Sequence, residues 1–303
     1  DDRPVLQHSF NDVASYNRIM DLQEIEELPC KDTITSAYTY FAENLDPSKV
    51  DFDVICSKIM FVGIDLNYDE NEQQIFDTIN SLGVRLTTAE LLKNYFFSRD
   101  DLTLYKTHWR NVFEKDEEAR SYWGQEIVTG RIKRTFIDLF FYSLLQILIQ
   151  DSTYAVRAED KVAFSRVESL FPSYKKFIGS YMNGNKNILL EEMVKYAAVF
   201  RNKIDGSIVD KELPKKAGIE RINVLIFALD TTTLIPYILF IEKNVQDEQQ
   251  KNDLYEYLES YIIRRLVTRQ TTKNYNQLFT ERLIANRVTT KADFIVYLEK
   301  QAD

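Results

Sequence analysis

Glycine and proline are scarce in this sequence, which has 8 glycines and 6 prolines among 303 residues. Average usage of these two residues, about 12% together, would give roughly 36 of them. Because the tight connections of β-sandwiches and β-barrels need turn formers, this shortage disfavours an all-β fold. The rest of the composition, 45% hydrophobic and 28% charged residues, is typical of a globular protein with long helices.

Cysteine and histidine are also scarce, with only Cys30, Cys56, His8 and His108. Two distant cysteines exclude a disulfide framework and a zinc site, and we expect both to be small buried side chains in a reducing cytoplasm. The sequence has no HExxH and no histidine cluster for a metal. Neither histidine follows a nucleophile-elbow sequence, so we expect no catalytic histidine.

Phosphate-binding glycine loops and long apolar runs are absent. The sequence has neither GxxxxGK[ST] nor GxGxxG, which excludes most familiar nucleotide-binding enzymes. Its longest strong apolar run, residues 139–150, is flanked by Asp138 and Asp151 and is shorter than the roughly 18 residues that span a bilayer. We therefore expect a buried core helix there and no membrane partner. The start at Asp1, without an initiator Met or a signal peptide, suggests an internal piece of a longer chain.

The charge balance is acidic, with 38 basic and 47 acidic side chains and a net charge of −9. A large sequence-independent phosphate-binding surface is usually basic, so the balance opposes one. Two local clusters could still contact nucleic acid, although charge clusters on helices are more often solvated faces. The clusters are Arg131, Lys133 and Arg134, and Arg264, Arg265, Arg269 and Lys273.

Apolar residues recur at helical spacing along most of the chain, which predicts a mainly α fold: a multi-helix, bundle-like array with at most a short β element near residues 57–66. Asp32 or Thr33 can cap a helix over 34–45, and Thr87 and Glu90 have capping-box spacing. No stretch with the composition of a linker marks a domain boundary, so we predict one helical region over 1–303. The alternative is a division of this region into two helical subdomains, 1–150 and 151–303. The other predicted helices cover residues 102–114, 131–149, 161–182, 189–201, 219–229, 234–243, 253–268 and 291–300.

Two segments invite a functional interpretation beside a structural one. The carboxylates of Asp65, Asp69, Glu70 and Glu72 could bind a divalent cation, or they could simply complement a helix dipole. In residues 75–97, Asn80 ends one helix, Gly83 can take a positive φ, and Arg85 follows in the turn. An amide and a guanidinium suit a phosphate or a base edge, and plain helix packing is the alternative.

The run QQIFDTINSLGVRLTTAELLKNYFF resembles the pattern F-x-x-x-N-x-x-G-x-x-L-[ST]-x-x-[DE]-L-x-[KR]-N of the GmrSD-type restriction endonucleases. Position 90 is often Asp in that family and is Glu here. Two further stretches also resemble the family: residues 34–45, and residues 261–279 with paired arginines followed by T-x-x-Y-N. The residues in register with the first pattern are Phe76, Asn80, Gly83, Leu86, Thr87, Glu90, Leu91, Lys93 and Asn94.

The resemblance implies a multidomain defence enzyme against foreign, often modified, DNA. Its family has a ParB/sulfiredoxin-like nucleotide-binding domain with a D-G-Q-Q-R motif, then a helical region, then an HNH nuclease. This sequence contains neither D-G-Q-Q-R nor an HNH motif, so we expect a fragment that resembles the helical region, or a relative that has lost both activities. Nucleoside triphosphate and Mg²⁺ are expected cofactors of the full-length protein, with none bound by this chain alone.

Three functional hypotheses follow. In the first, the chain is the helical part of a nucleotide-dependent DNA restriction endonuclease; Asn80, Gly83 and Arg85 contribute to the nucleotide pocket, and Arg264 and Lys273 contact nucleic acid or couple the pocket to the nuclease. Its partners are DNA, nucleotide and, as one alternative, a second copy of the chain. In the second hypothesis the chain is a non-catalytic helical scaffold that binds a protein. The third is direct DNA recognition by the two basic clusters. On the first two hypotheses we expect no catalysis by this chain alone.

The paired arginines differ in helical phase. At 100° per residue, Arg265 falls in the middle of the apolar stripe formed by Leu254, Leu258 and Tyr261, whereas Arg264 falls at its edge. A guanidinium that faces the core must be paired or hydrogen-bonded. We therefore expect Arg265 to be mostly buried and held by a carboxylate or by backbone carbonyls, and Arg264 to be more exposed.

Overall fold

The computed structural model describes residue 8 and residues 12–60, 87–98, 101–129 and 132–302. The chain forms two compact units, Asp1–Glu70 and Asn71–Asp303. The second unit extends across position 150, and the division of the chain into 1–150 and 151–303 stays a prediction. Helices dominate the described residues, which confirms the mainly α class.

The described residues of the first unit contain three helices: α1 (Val13–Met20), α2 (Thr33–Asn44) and α3 (Phe52–Lys58), with a 3₁₀ turn at Pro47–Lys49. Asp32 caps α2 as predicted, because its carboxylate accepts a hydrogen bond from the Thr35 N–H at 2.8 Å. Leu28 and Thr35 are the buried residues within 12–60. Most apolar side chains of α2 and α3 are exposed.

Two predictions for this unit need correction. Cys30 and Cys56 are free and exposed, not buried. The reason is that neither α3 nor the segment before α2 is covered by the core of the unit. The second correction concerns the β element expected near 57–66. Residues 57 and 58 belong instead to α3, whose start is fixed by a hydrogen bond from the Val54 N–H to the Asp51 carboxylate. Residues 61–66 lie outside the described part of the chain.

The second unit begins, in the described residues, with α4 (Thr88–Phe96) and α5 (residues 102–113). α5 consists of Leu102–Leu104, a π-helical segment Tyr105–Arg110, and Asn111–Phe113. α6 (Glu117–Trp123) leads into a hairpin of β1 (Glu126–Thr129) and β2 (Ile132–Thr135), antiparallel with Glu126 opposite Thr135. α7 (Phe136–Leu148) follows directly.

The remaining helices are α8 to α15. Between them lie short 3₁₀ turns at Ser152–Tyr154, Val167–Ser169, Gly206–Asp210 and Thr232–Leu234. The helices are α8 (Ala158–Phe164), α9 (Leu170–Tyr181), α10 (Lys186–Lys203), α11 (Ile219–Ala228), α12 (Ile235–Asn244), α13 (Glu248–Val267), α14 (residues 275–285, with a π-helical segment Leu278–Arg282) and α15 (Lys291–Ala302).

Two predicted helices differ from the structure. The helix predicted over 131–149 begins with the second strand of the hairpin, and the helix predicted over 161–182 is broken between α8 and α9. Residues Ile132–Thr135 pair with β1, and Thr135 caps α7 by accepting the Asp138 N–H at 3.3 Å, so the helix starts five residues late. Pro172 has no N–H and fits the first turn of α9, where no such donor is needed.

α7 is the centre of the core. Every residue from Leu139 to Leu148 is buried, which confirms the predicted core helix, and α7 packs against α4, α10, α12 and α14. Aromatic rings fill the space around it: Trp109 stacks on Phe141 at 5.6 Å and Trp123 stacks on Phe200 at 5.4 Å between centroids. No helix of the described residues is long and apolar enough to cross a bilayer.

A buried ion-pair network joins α12 and α13. The Glu242 carboxylate accepts hydrogen bonds from Lys251 at 3.0 Å and from the Tyr255 hydroxyl at 2.7 Å, and Lys203 lies 3.2 Å away. The side chains of Glu242 and Lys251 are almost fully buried. Because each buried charge has several partners, the network fixes the pairing of the two helices.

Candidate functional site

The C-terminal half of the 75–97 motif is described, and its capping box is present. The Thr87 hydroxyl accepts from the Glu90 N–H at 3.3 Å, and the Glu90 carboxylate accepts from the Thr87 N–H at 2.8 Å. This reciprocal pair fixes the first turn of α4. Asn80, Gly83 and Arg85, predicted to contribute to a nucleotide pocket, lie outside the described residues, as do Asp65, Asp69, Glu70 and Glu72.

Lys93 of the motif is held in a hydrogen-bonded cluster with α5. The Glu114 carboxylate accepts from the Lys93 ammonium at 3.0 Å, the Tyr105 hydroxyl at 2.6 Å and the Trp109 indole at 2.9 Å. Burial raises the pKa of Glu114, but the Tyr105 hydrogen bond and the Lys93 charge outweigh it and hold the pKa below its ordinary value. Lys93 therefore ties α4 to the π-helical turn, while Asn94 beside it is exposed.

Two charged residues, Arg134 and Asp138, lie next to the first turn of α4. The Asp138 carboxylate accepts from the Thr135 hydroxyl at 2.9 Å, and the Ala89 amide of α4 helps to lower its pKa, although burial raises that pKa overall. Arg134 is 8% exposed, and its guanidinium donates to the Asp138 carbonyl at 3.3 Å. Burial lowers the pKa of Arg134. Within the described structure, Asp138 Oδ1 and Arg134 Nε are buried without a hydrogen-bond partner.

Tyr142 links this pair to α14. The Arg134 guanidinium lies 5.0 Å from the centroid of the Tyr142 ring. The Tyr142 hydroxyl donates to Asn276 Oδ1 at 3.2 Å and to the Ser165 carbonyl at 3.3 Å, and burial raises its pKa to about 12. Asn276 is the last residue of the T-x-x-Y-N stretch. We call Asp138, Arg134, Tyr142 and Asn276 the α4–α14 contact route.

The segment from α13 to α14, residues 264–274, forms a basic corner. Residues 260–280 contain four basic side chains and no acidic one, in a chain of net charge −9. α13 ends at Val267, Arg269 beyond it has a φ of 54°, and the Gln270 N–H donates to the Arg265 carbonyl at 2.8 Å. Arg264, Arg269 and Lys273 are exposed, and none of them forms an ion pair with a described carboxylate.

Arg265 is less buried than expected. The prediction of a backbone carbonyl partner is confirmed, because Nη2 donates to the Thr271 carbonyl at 2.7 Å. The guanidinium lies between the rings of Tyr261 and Tyr275, 5.5 and 5.6 Å from their centroids. The side chain is nevertheless only half-buried, because the last turn of α13 extends past its neighbours and leaves Val267 75% exposed. Arg264 is exposed, as predicted.

The other basic cluster does not form an open basic face. Arg131 lies outside the described residues, Lys133 pairs with Glu126, and Arg134 is buried. The histidines have ordinary local contacts: His108 Nδ1 lies 2.8 Å from the Thr107 hydroxyl, and the His8 ring packs against Tyr16. Among the described residues, no group of three or more His, Cys, Asp or Glu side chains could hold a metal.

Comparison with known protein families found a match in the N-terminal third of the chain. Residues 3–97 match the family model of the GmrSD restriction endonuclease, N-terminal domain. This similarity supports the GmrSD restriction endonuclease family for the N-terminal third of the chain. The match includes α1 to α4 and confirms the resemblance carried by the 75–97 motif. No curated protein and no solved structure matches the chain.

The GmrSD match is to the N-terminal domain of the family, whereas the sequence resemblance pointed to the helical region after it. How the chain divides between these regions stays a prediction, and the 261–279 stretch lies beyond the matched residues. Sequence reasoning missed the α4–α14 contact route. One signal for it was available, since Thr135 and Asp138 have N-cap spacing directly after a basic residue, but the contacts with Ala89 and Asn276 join residues far apart in sequence.

Proposed function

We propose that this GmrSD-family chain is part of a nucleotide-dependent endonuclease that restricts foreign DNA. In this proposal Asn80, Gly83 and Arg85 contribute to the nucleotide pocket, and the second compact unit couples that pocket to the nuclease. The family match supports a role in a DNA-acting enzyme. The nucleotide, Mg²⁺ and any homo-oligomer belong to the whole enzyme and are part of the proposal.

The observation that carries the coupling is the α4–α14 contact route. α4 begins three positions after Arg85, the last of the proposed pocket residues in the sequence. Its first turn adjoins Asp138. The Arg134 guanidinium contacts both the Asp138 carbonyl and the Tyr142 ring. The Tyr142 hydroxyl in turn donates to Asn276 Oδ1. Because Arg134 and Asp138 each keep a buried atom unpaired in the described structure, a small shift of α4 would change how their charges are compensated.

The basic corner supplies the proposed DNA contact. Arg264, Arg269 and Lys273 are exposed at the end of α13 and in the segment after it, without carboxylate partners in the described part of the chain. Lysine and arginine side chains in such a position bind phosphates and release counterions. The corner adjoins Asn276, so the contact route ends where DNA would bind.

Asn80→Ala in the whole enzyme tests the nucleotide pocket. We expect weaker nucleotide binding and slower hydrolysis with an unchanged melting temperature. If Asn80 only ends a helix, the substitution should cost on the order of 1 kcal/mol of stability and leave turnover unchanged. A non-catalytic scaffold would bind no nucleotide in either form.

Tyr142→Phe tests the coupling, because it removes one hydroxyl and keeps the ring that lies over Arg134. We expect nucleotide hydrolysis near the wild-type rate, with nucleotide-dependent DNA cleavage reduced at least fivefold. Tyr237→Phe is the matched control: its buried hydroxyl also donates to a backbone carbonyl, that of Val288 at 2.8 Å, away from the route. Equal effects of the two substitutions on cleavage would show that only stability had changed.

A further inference from the structure

A pocket lies beneath the basic corner, between α13, α14 and α15. It has a volume of about 420 Å³, which is within the range of small-ligand sites. Arg265 and Tyr261 line it from α13, Tyr275 and Arg282 from α14, and Tyr297 from α15. Every described residue that lines the pocket belongs to the second compact unit.

The charge of the pocket favours an anion. Two guanidinium groups line it, and none of its described lining residues carries a carboxylate. Arg265 is fixed by the Thr271 carbonyl, and Arg282 by Gln277 Oε1 at 2.8 Å. Arg265 Nε is buried with no hydrogen-bond partner in the described structure. A planar, oriented guanidinium with an unused donor is suited to phosphate oxygens.

The other lining groups favour a base beside the phosphate. Three tyrosine rings, those of Tyr261, Tyr275 and Tyr297, offer stacking surfaces, and Asn274 at the exposed rim offers an amide donor and acceptor. Aromatic rings that stack bases, combined with arginine, are the equipment of proteins that bind unpaired nucleotides. Burial raises the pKa of Tyr261 and of Tyr275, so both phenols stay protonated.

The backbone around the pocket is also irregular. α14 contains a π-helical turn, Leu278–Arg282, and both ends of this turn line the pocket. Such turns in α-helices occur often at functional sites. A regular α-helix would give residues 278 and 282 a different separation, so the turn sets the position of Arg282 relative to Arg265.

We propose that this pocket binds a single unpaired nucleotide unit, with its phosphate on Arg265 and Arg282 and its base among the tyrosines. The unit can come from a single DNA strand or from a free mononucleotide, which share this chemistry. This proposal is argued from residues other than Asn80, Gly83 and Arg85, so it does not rest on the proposed nucleotide pocket.

The test uses the whole chain and two probes: thymidine monophosphate, measured by calorimetry, and a fluorescent single-stranded thymidine 12-mer, measured by anisotropy. We expect Arg265→Gln to weaken both at least tenfold. Arg264→Gln is the matched control, because it removes the same charge from the neighbouring exposed residue. It should leave the mononucleotide affinity within twofold and weaken only the 12-mer, by less than Arg265→Gln does.

Two further variants guard against misfolding of Arg265→Gln. Asn274→Ala changes an exposed rim residue and Tyr297→Leu a half-buried one, and each should weaken both probes at least threefold with a native melting profile. Asn80→Ala should leave the affinity of this pocket for both probes unchanged, whatever it does to the proposed nucleotide pocket.

Tighter binding of the 12-mer than of the mononucleotide would identify a DNA strand as the source of the bound unit. Tighter binding of the mononucleotide would identify a free nucleotide. No binding of either probe by wild type, or equal losses in Arg264→Gln and Arg265→Gln, would overturn the proposal.

Discussion

Replacement of Lys93 by Met should destabilise the protein without affecting nucleotide binding, although Lys93 belongs to the family pattern. The Lys93 ammonium donates to the Glu114 carboxylate at 3.0 Å, beside the Tyr105 hydroxyl and the Trp109 indole. A hydrogen bond between charged groups contributes about 1.5–3 kcal/mol, and because the Lys93 side chain is 32% exposed we expect the lower end, about 1.5 kcal/mol. For a unit of this size, that lowers the melting temperature by about 3–6 °C.

The pH dependence of the Lys93→Met effect follows from the Glu114 pKa. That pKa is lowered in the folded protein from its ordinary value of 4.5, so the ionised carboxylate stabilises the fold above that value. The stabilisation is lost as the pH falls through the folded-state pKa. The difference between wild type and Lys93→Met should therefore be largest near neutral pH and should shrink at pH values below 4.5.

Thermal melts at pH 7 and in acid, with a double-mutant cycle between Lys93→Met and Glu114→Gln, measure this coupling. Lys115→Met is the matched control, because Lys115 is exposed beside Glu114 and should shift the melting temperature by less than about 1 °C. If Lys93→Met resembled Lys115→Met, or if its effect did not change with pH, the reasoning would be refuted.

Four further outcomes are expected. Arg265→Ala should destabilise by about 1–2 kcal/mol, because Arg265 is packed between two rings, and Arg264→Ala by less than about 0.5 kcal/mol in the same thermal melts. Glu242→Gln should cost about 3–5 kcal/mol in denaturant titrations, because it leaves the buried Lys251 ammonium with the largely exposed Glu248 as its carboxylate partner, and Lys251→Met in the same chain should recover part of that loss. Both cysteines are exposed, so the native protein should react with two equivalents of a maleimide; a requirement for denaturant would contradict their placement. The isolated chain should neither hydrolyse nucleoside triphosphates nor cut DNA, and turnover in purified protein that is lost on replacing His8 or His108 would contradict this expectation.

Local signals in the sequence determined many of the helix boundaries. The Asp32 cap and the Thr87 and Glu90 capping box both act between residues three apart. The apolar run of α7 was equally readable, because a helix that is hydrophobic on every side has to be buried. The 75–97 motif identified the family for the same reason, since its pattern is contiguous.

Tertiary structure decided the features that depend on distant partners. Ile132–Thr135 forms a strand because β1 pairs with it, and the helical propensity of that segment did not reveal the pairing. The exposure of Arg265 depends on how far α13 extends past its neighbours, which helical phase alone does not give.

The candidate sites show the same division. The sequence placed Arg264, Arg265 and Lys273 near one another, but it did not show that Tyr297 from α15 lines the same pocket as Arg265. It also marked Lys93 as part of a motif without showing that Glu114, 21 residues later, is its partner. Such contacts are decided by packing between helices, because the free energy of burial depends on which surfaces meet and not on the order of residues along one helix.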